Sequence, residues 1–309
     1  MTSIAEIATY SPGQTRLRDR QHEFGLTDVE LRRYERAFGY DRIAFDPRQS
    51  EADLLVGAAS KLVTLRGAEQ RVHYVLRPRT VRWPELHPDS ALRTVRETFG
   101  LQHAQSFALV DQACAGGLLA IDMAGALLAQ DGNPDALALV LIGEKASCRI
   151  SQVIPGMAVL GEATVAILVS LDDEHDRVLG YAAVVEPIPG GGLTMEPDAV
   201  RAFGAVYGRT LGRVITGALQ AARTRPEDLC LYLPHNVSQR LCLETGAAIG
   251  LAPEQVVTDT IGEIAHCWGA DPFYNARHAI DLGRLRTGDR YLMTSVGMGA
   301  TFAAMVVEH

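Results

Sequence analysis

Hydrophobic residues form two kinds of pattern along this chain: continuous apolar runs, and apolar residues repeated at helical spacing. Continuous apolar runs such as LALVLI at residues 137–142 are typical of central strands covered on both faces. Apolar residues at helical spacing, as at residues 51–65, indicate amphipathic helices. The pattern predicts strands at residues 72–76, 106–110, 137–142, 163–171, 178–185, 229–233, 290–296 and 300–307. It predicts helices at residues 27–38, 51–65, 89–99 (Asp89 as candidate N-cap), 116–130, 197–223, 238–249 and 272–282.

This alternation of strands and helices predicts an α/β fold in layers, with helices between or around mixed sheets. The segment PIPGGG at residues 187–192 breaks the pattern and is the best candidate for a junction. The two halves share a loose order of strand, buried helix, strand and paired strands, which indicates an internal pseudo-duplication.

Composition narrows the function classes. The net charge of -8 argues against nucleic acid as the main partner, because phosphate binding needs a basic surface. No apolar stretch is expected to reach the roughly 18 residues of a membrane helix, and the first residues lack the pattern of a signal peptide. A cytoplasmic location is the default. The five cysteines are odd in number and have no close metal-ligand spacing, so neither a disulfide framework nor a zinc site is expected.

Among these cysteines, Cys114 has the most informative surroundings, in the segment DQACAGGLLA. A predicted strand ends near Val110 and a helix of small and apolar residues follows the cysteine. A thiol at a helix N-terminus meets free N–H groups and the positive end of the helix dipole, which favour the thiolate. Gly116 and Gly117 leave room for close approach of backbone or ligand. The alternative is a buried structural cysteine, which is common.

Two histidines stand where predicted strands or loops lead into helices. His235 follows an apolar strand and precedes a helix opened by Ser238, so it could project into a site or merely cap backbone groups. His266 precedes Asp271 by five residues, and a carboxylate at that distance could fix its tautomer and raise its basicity. The alternative makes Asp271 the N-cap of the next helix, with Pro272 at its first position.

A glycine-containing turn is predicted between the last two strands, in the segment SVGMGAT. Gly297 and Gly299 could serve ordinary hairpin geometry, or could let a backbone N–H point at a developing oxyanion. The motif is too short for a dinucleotide site, and no helix follows it.

Taken together, these segments resemble the ketosynthase III family (beta-ketoacyl carrier-protein synthase III) of the thiolase superfamily. ACAGG around Cys114 resembles its nucleophile motif, and LPHNVSQRL places its histidine at His235. LGEATVAILVS resembles another family segment, with Glu162 in place of aspartate, and the C-terminal strand pair with its glycine turn also matches. The resemblance runs from about residue 100 to the end. It implies a layered thiolase-like fold of two pseudo-duplicated halves, residues 1–170 with the nucleophile and residues 171–309 with both histidines.

One departure from the family pattern bears on the chemistry. Counted back from Gly283, the position of the family's catalytic asparagine falls on His266. In condensing members, that asparagine and the histidine bind the thioester oxygen of a malonyl donor as carbon dioxide leaves. His266 with Asp271 is instead similar to a natural-product subgroup that transfers acyl groups without decarboxylation. A second departure is RAFGYDRI in place of the family's RTGI-type segment, in which an arginine helps to bind coenzyme A. This departure counts against coenzyme A as the donor.

The resemblance therefore implies an acyltransferase with Cys114 as nucleophile, His266 as general base, Asp271 as its orienter and His235 as support for the thioester oxygen. The N–H groups of Cys114 and Gly299 would form the oxyanion hole. The donor would be an acyl carrier protein or coenzyme A thioester, the acceptor a hydroxyl, an amine or a carrier, and no cofactor or metal would be needed.

Further expectations concern partners and alternatives. A homodimer is expected, because an unpaired apolar strand at residues 106–110 would be a liability in a monomer. Arginines at four positions could dock an acidic carrier protein, namely Arg209, Arg213, Arg223 and Arg225. One alternative is a decarboxylating ketosynthase that tolerates His266. Another is a non-catalytic partner subunit, although such subunits usually lose the nucleophile, which is present here.

Overall fold

Strands and helices are interspersed along the part of the chain that the structure describes. The computed structural model describes residues 1–80, 90–172, 176–190, 192 and 195–309. The strands are β1 Ser3–Tyr10, β2 Gln14–Arg16, β3 Arg42–Ala44, β4 Val72–Pro78, β5 Gln105–Leu109, β6 Leu137–Ile142, β7 Val153–Ile154, β8 Ala158–Val159, β9 Thr164–Ser170, β10 Asp176–Val185, β11 Leu229–Leu233, β12 Arg290–Gly297 and β13 Thr301–Glu308. The helices are α1 Asp28–Arg33, α2 Glu51–Ala59, α3 Ala91–Thr98, α4 Gly116–Asp131, α5 Pro197–Ala221, α6 Gln239–Ala248, α7 Ile261–Ile264 and α8 Asp271–Asp281.

Nine of these strands form one mixed sheet in the order β11-β12-β13-β10-β1-β9-β6-β4-β5. In the first half, β5, β4 and β6 run parallel, β9 pairs antiparallel with β6, and β1 pairs antiparallel with β9. The second half repeats this arrangement: β11 and β12 are parallel, and β13 and then β10 add antiparallel. A bridge between Tyr232 and Val256 stands where β5 pairs with β4 in the first half. The same strand order therefore occurs twice, as the sequence indicated.

The two repeats meet where β1 pairs with β10 through Ser3 and Ile4. The strands of the first repeat end at Ser170 and those of the second begin at Asp176. Because this pairing joins both repeats in one sheet, the division into domains 1–170 and 171–309 stays a prediction.

Helix α4 lies in the core between the two repeats. It contacts β4, β6 and β9 of the first and β12 and β13 of the second. Its buried residues are Gly116, Gly117, Leu118, Ala120, Ile121, Ala124, Gly125 and Leu128. The helical stretch Ala113–Asp131 is long and apolar enough to cross a membrane by length and composition, which the sequence analysis did not expect. Its position in the core accounts for its apolar character.

The structure contains strands that were not predicted, and one predicted helix is shorter than expected. Strand β1 was not predicted, because a bulge between Ile4 and Glu6 interrupts the alternation of buried and exposed positions. The helix predicted at residues 51–65 ends at Ala59, and Leu62 and Leu65 are buried in turns instead. The candidate N-cap Asp89 lies outside the described residues.

Candidate active site

Cys114 occupies a strained turn between β5 and α4. It is buried in a single 3-10 turn, Ala113–Ala115, directly before the helix. Asp111 and Ala113 both adopt positive φ, at 76° and 45°, which is unusual for residues other than glycine. A Cβ on Gly117 would lie only 2.7 Å from the carbonyl oxygen of Gly269, so glycine there allows the turn to pack against a second loop. That loop carries His266.

The second loop brings a histidine and a carboxylate to the thiol. The Nε2 of His266 lies 3.6 Å from the Sγ of Cys114. Its Nδ1 lies 2.5 Å from the Oδ2 of Asp271. Because a carboxylate accepts from Nδ1–H, the carboxylate orients the ring with Nε2 toward the sulfur. The three residues form a buried Cys–His–Asp arrangement, although they come from two separate segments of the chain.

Asp271 is held by backbone donors from two other segments. Its Oδ1 accepts the N–H of Cys267 at 2.7 Å, and its Oδ2 accepts the N–H of Asn236 at 2.7 Å. Helix α8 begins at this residue with Ala270 as N-cap. Since these bonds go to preceding segments, the carboxylate orients His266 and does not cap its own helix.

The charge state of His266 follows from these neighbours. Burial alone would lower its pKa, but the charge and hydrogen bond of Asp271, followed by those of Cys114, outweigh burial and raise the pKa to about 10. The resting side chain is therefore an imidazolium at neutral pH, beside the Cys114 thiol.

His235 has the opposite electrostatics. Burial, and then the charge of His266, lower its pKa to about 3, so it is neutral at neutral pH. Its Nδ1 accepts the N–H of Val296 at 3.1 Å, and its Nε2 lies 2.8 Å from the hydroxyl of Tyr207. The ring centres of the two histidines are 5.9 Å apart. The side chain thus reaches the site, and its role toward a thioester oxygen remains a prediction.

The turn between β12 and β13 packs directly on the nucleophile's turn. Ser295 Oγ donates to the carbonyl oxygen of Cys114 at 2.8 Å. A Cβ on Gly297 would lie 2.3 Å from the carbonyl oxygen of Gln112, so only glycine fits this contact. Met298, the next residue, lines the cavity at the thiol. Gly299 follows with φ 135°, and its role as an oxyanion donor stays a prediction.

A cavity of about 40 Å³ lies over the thiol. Its lining joins the site residues to apolar side chains, namely Thr80, Cys114, Ile154, Met157, Ala158, Phe203, Tyr207, His235, Val237, His266, Val296 and Met298. A second cavity of about 290 Å³ shares Ile154, Met157 and Met298 with it and extends to Arg149 and the exposed Ile150. The inner cavity is therefore adjacent to a wider outer one.

Sequence reasoning missed several residues of this cavity. Thr80 Oγ1 lies 3.8 Å from the Cys114 sulfur, and Tyr207 contacts His235. Neither residue stands in a recognisable motif, so only the tertiary structure reveals them. Asn236 did carry a signal, because it lies within the segment LPHNVSQRL.

The other cysteines have different surroundings. Burial raises the pKa of Cys267 well above its ordinary value, and raises that of Cys242 to about 12. The hydrogen bond from Ser151 lowers the pKa of the partly buried Cys148. Within the described ranges, no group of three metal-ligating side chains has suitable geometry to hold a metal ion.

Comparison with known proteins finds relatives of the ketosynthase III type. Residues 219–309 match the family model described as 3-oxoacyl-[acyl-carrier-protein] synthase III C terminal. The beta-ketoacyl-[acyl-carrier-protein] synthase III of Solibacter usitatus is 26% identical over 282 residues, which cover 84% of each protein. The chain is therefore similar to ketosynthase III-type proteins over most of its length. Because these similar proteins are named as synthases, an enzymatic function is supported.

Solved structures of ketosynthase III-type proteins confirm the predicted thiolase-like fold. The synthase III of Aquifex aeolicus superposes with a TM-score of 0.83 at 18% identity, covering all of both chains. The acyltransferase ChlB3 superposes with a TM-score of 0.87 at 17% identity, covering 99% of this chain and 97% of ChlB3. OleA from Xanthomonas campestris superposes with a TM-score of 0.81 at 18% identity, covering 100% and 98%.

Proposed function

We propose that this chain is an acyltransferase. It takes an acyl group from a carrier-protein or coenzyme A thioester onto Cys114 and passes it to a hydroxyl, an amine or a second carrier, without decarboxylation. The observation that carries the proposal is the Nε2 of His266, 3.6 Å from the thiol sulfur on a ring anchored by Asp271. An imidazole can take up and release protons, whereas the asparagine that the resemblance expects at this position can only form hydrogen bonds.

In the loading step, the sulfur of Cys114 attacks the carbonyl carbon of the donor thioester. A new carbon–sulfur bond forms to Cys114, and the bond to the donor sulfur breaks. The departing thiolate takes a proton from His266, which is an imidazolium in the resting site. The N–H groups of Cys114 and Gly299 are the proposed donors to the negative oxygen of the intermediate.

Loading also prepares the base for the second step. The charge of Cys114 and its hydrogen bond are among the effects that raise the pKa of His266, and acylation removes both. The neutral imidazole left after loading can accept the proton of the acceptor as that acceptor attacks the acyl carbon. The bond to Cys114 then breaks and leaves the sulfur as a thiolate beside the His266 imidazolium, which restores the resting site.

A second candidate is a decarboxylating ketosynthase, because the curated relatives are described as beta-ketoacyl synthases. Two contacts favour transfer over condensation. His266 is engaged with Asp271 and the thiol, and the Nε2 of His235 is engaged by Tyr207. The acyltransferase description of ChlB3 supports the same choice. We extend the subgroup resemblance to a role in natural-product biosynthesis, with no cofactor beyond the thioester substrate.

The four arginines proposed to contact a carrier-protein donor differ in their ion pairs. Arg213 pairs with Glu186 and Arg225 pairs with Asp228, so these two arginines are partly neutralised. Arg209 and Arg223 are exposed, and no acidic partner is found for them in the described part of the chain. They are the better candidates for contact with an acidic carrier protein.

Intact-protein mass after incubation with a panel of acyl carriers and coenzyme A thioesters tests the first half of the proposal. The added mass identifies the acyl group, and its loss on adding an acceptor, with an ester or amide product, demonstrates transfer. The Cys114→Ala protein is the control for labelling elsewhere. Acyl mass that never leaves the native protein, with any acceptor class, would contradict acyl transfer.

A further inference from the structure

The hydrogen bonds of His235 fix which of its nitrogens carries the proton. Its Nδ1 accepts the backbone N–H of Val296 at 3.1 Å, so that nitrogen has no hydrogen. The ring is neutral, since burial lowers its pKa to about 3, and its hydrogen therefore lies on Nε2. That hydrogen is directed at the hydroxyl oxygen of Tyr207, 2.8 Å away. The single ring N–H of His235 is thus already donated to Tyr207.

Tyr207 consequently has a hydrogen of its own to donate. Its oxygen accepts from His235, which leaves the O–H directed elsewhere. Its ring is fixed between Phe203 and Phe302, with centres 5.5 and 5.7 Å away in edge-on contacts. Burial raises the pKa of Tyr207 well above its ordinary value, so the hydroxyl stays protonated. The same residue lines the small cavity over Cys114.

These contacts form a chain of donors that runs from the backbone into the cavity. We propose that the Tyr207 hydroxyl donates the hydrogen bond to the carbonyl oxygen of the thioester while Cys114 is being acylated. His235 acts through it as a positioning residue and does not touch the thioester itself. No proton is transferred along this chain. The proposal rests on the proposed function only through its first step, the loading of Cys114.

Single-turnover acylation by acetyl-S-N-acetylcysteamine tests this role without an acceptor or a carrier. The rate constant is followed by thiol release and by intact mass, as a function of donor concentration. We expect Tyr207→Phe to lower the saturating rate constant about 10- to 100-fold, because one donor to the developing oxyanion is lost while the backbone donors remain. The concentration for half-saturation and the melting temperature should stay close to those of the native protein.

Two further variants show whether Tyr207 acts as a hydrogen-bond donor or only as a packing residue. Tyr232→Phe is the matched control, because Tyr232 is also buried and bonded, to the Thr294 hydroxyl at 2.8 Å, but lies outside the lining of this cavity. It should load at the native rate. His235→Asn keeps an acceptor for the Val296 N–H but ends the chain, so it should slow loading. The double variant should fall within about threefold of the slower single variant, since both act on one donor.

These experiments distinguish a failure of the Tyr207 role from a failure of the proposed acyltransferase function. A native protein that does not load Cys114 would contradict the acyltransferase proposal at its first step. A native protein that loads, together with a Tyr207→Phe protein that loads equally fast, would overturn the role of Tyr207. Fully multiplicative losses in the double variant would show that His235 acts independently of Tyr207.

Discussion

At the scale of single residues, two neighbouring histidines have been given opposite properties by their surroundings. Asp271 makes His266 a cation by raising its pKa against the effect of burial, whereas burial without a carboxylate keeps His235 neutral. Proton transfer and hydrogen-bond donation are thereby separated between two side chains of the same type. The site can therefore carry out both tasks at one pH.

Cys114 should be the cysteine that carries the acyl group at stoichiometric levels. Cys267 lies beside His266, but it is fully buried and its raised pKa keeps it a thiol. Cys148 is the more reactive rival, since Ser151 lowers its pKa. Peptide mapping of the loaded protein should find the acyl mass on Cys114 alone. Cys148→Ser and Cys267→Ser are controls that should load normally, and acyl mass on either cysteine in Cys114→Ala would contradict the assignment.

His266→Ala should block transfer far more than loading. Loading retains a nucleophile, whereas transfer loses its general base, which typically contributes about 100- to 10,000-fold. Asp271→Asn should give a smaller loss, because the imidazole remains. Single-turnover discharge of preloaded protein measures both effects. Equal losses in loading and transfer for His266→Ala would argue that the histidine is needed only for structure.

Asp271→Asn also changes the pH dependence in a defined direction. Transfer needs neutral His266, so the rate should rise as pH approaches the pKa of that side chain. Asp271 contributes the largest effects that raise this pKa, so its neutralisation should move the rise to lower pH. The raised pKa of His266 also makes the stability of the fold depend on pH. Its contribution to stability is complete below the unfolded-state pKa of about 6.5 and is lost as pH rises through the folded-state pKa of about 10.

At the scale of elements, function is concentrated where strands and helices end. Five residues other than glycine have positive φ in the described ranges, and four of them flank the candidate catalytic groups: Asp111 and Ala113 before Cys114, and Ala265 and Trp268 around His266. Backbone strain of this kind persists only where surrounding contacts enforce it. Here those contacts are the close glycine approaches at Gly117 and Gly297.

The start of α8 is fixed by a buried amide network that should contribute to stability. Asn275 Nδ2 donates to the carbonyl oxygen of Pro234 at 2.8 Å and to the Oδ1 of Asn236 at 3.0 Å, and its Oδ1 accepts from Thr260. Asn275→Ala removes one hydrogen-bond partner from each of three buried groups. It should lower the free energy of unfolding by about 2–4 kcal/mol in denaturant titrations.

The matched control for this prediction is Arg93→Ala, which removes an exposed ion pair with Glu97 on α3. Such pairs contribute about 0.3–0.5 kcal/mol, so the control should be nearly silent. Similar losses for Arg93→Ala and Asn275→Ala would mean that the buried network does not stabilise the site.

Elements with a strong local pattern could be predicted, and those shaped by tertiary contacts could not. The apolar run of β6 and the small-residue helix α4 were located to within a residue or two. Strand β1 was missed because of its bulge, and the two-residue strands β7 and β8 are too short to show a period. At the site, motifs indicated Cys114, His235, His266 and Asp271. Tyr207 was missed, because a tyrosine inside a long helix gives no local signal.

At the scale of the whole molecule, the duplicated strand order explains the position of the site. Each repeat contributes one side: the first supplies Cys114 before α4, and the second supplies His235 after β11 and His266 before α8. The glycine turn between β12 and β13 lies over the junction. Neither half alone holds the complete set of candidate catalytic groups.

The chain should form a homodimer through the edge of the sheet at β5. This strand pairs only with β4 among the described strands, and its residues are only partly buried. Open edges of this kind are normally covered. Light scattering at micromolar concentration should give twice the 33.4 kDa of one chain. The mass of a single chain would contradict the prediction.

The most direct test of acyl transfer supplies the native protein with a malonyl thioester, labelled in its free carboxyl group, together with a loaded acyl group. The His266–Asp271 arrangement predicts no labelled carbon dioxide, and predicts ester or amide products when a suitable acceptor is present. His266→Asn is the informative companion, since it restores the condensing amide and should lose transfer. Labelled carbon dioxide from the native protein, matched by a beta-keto product, would contradict the acyltransferase assignment.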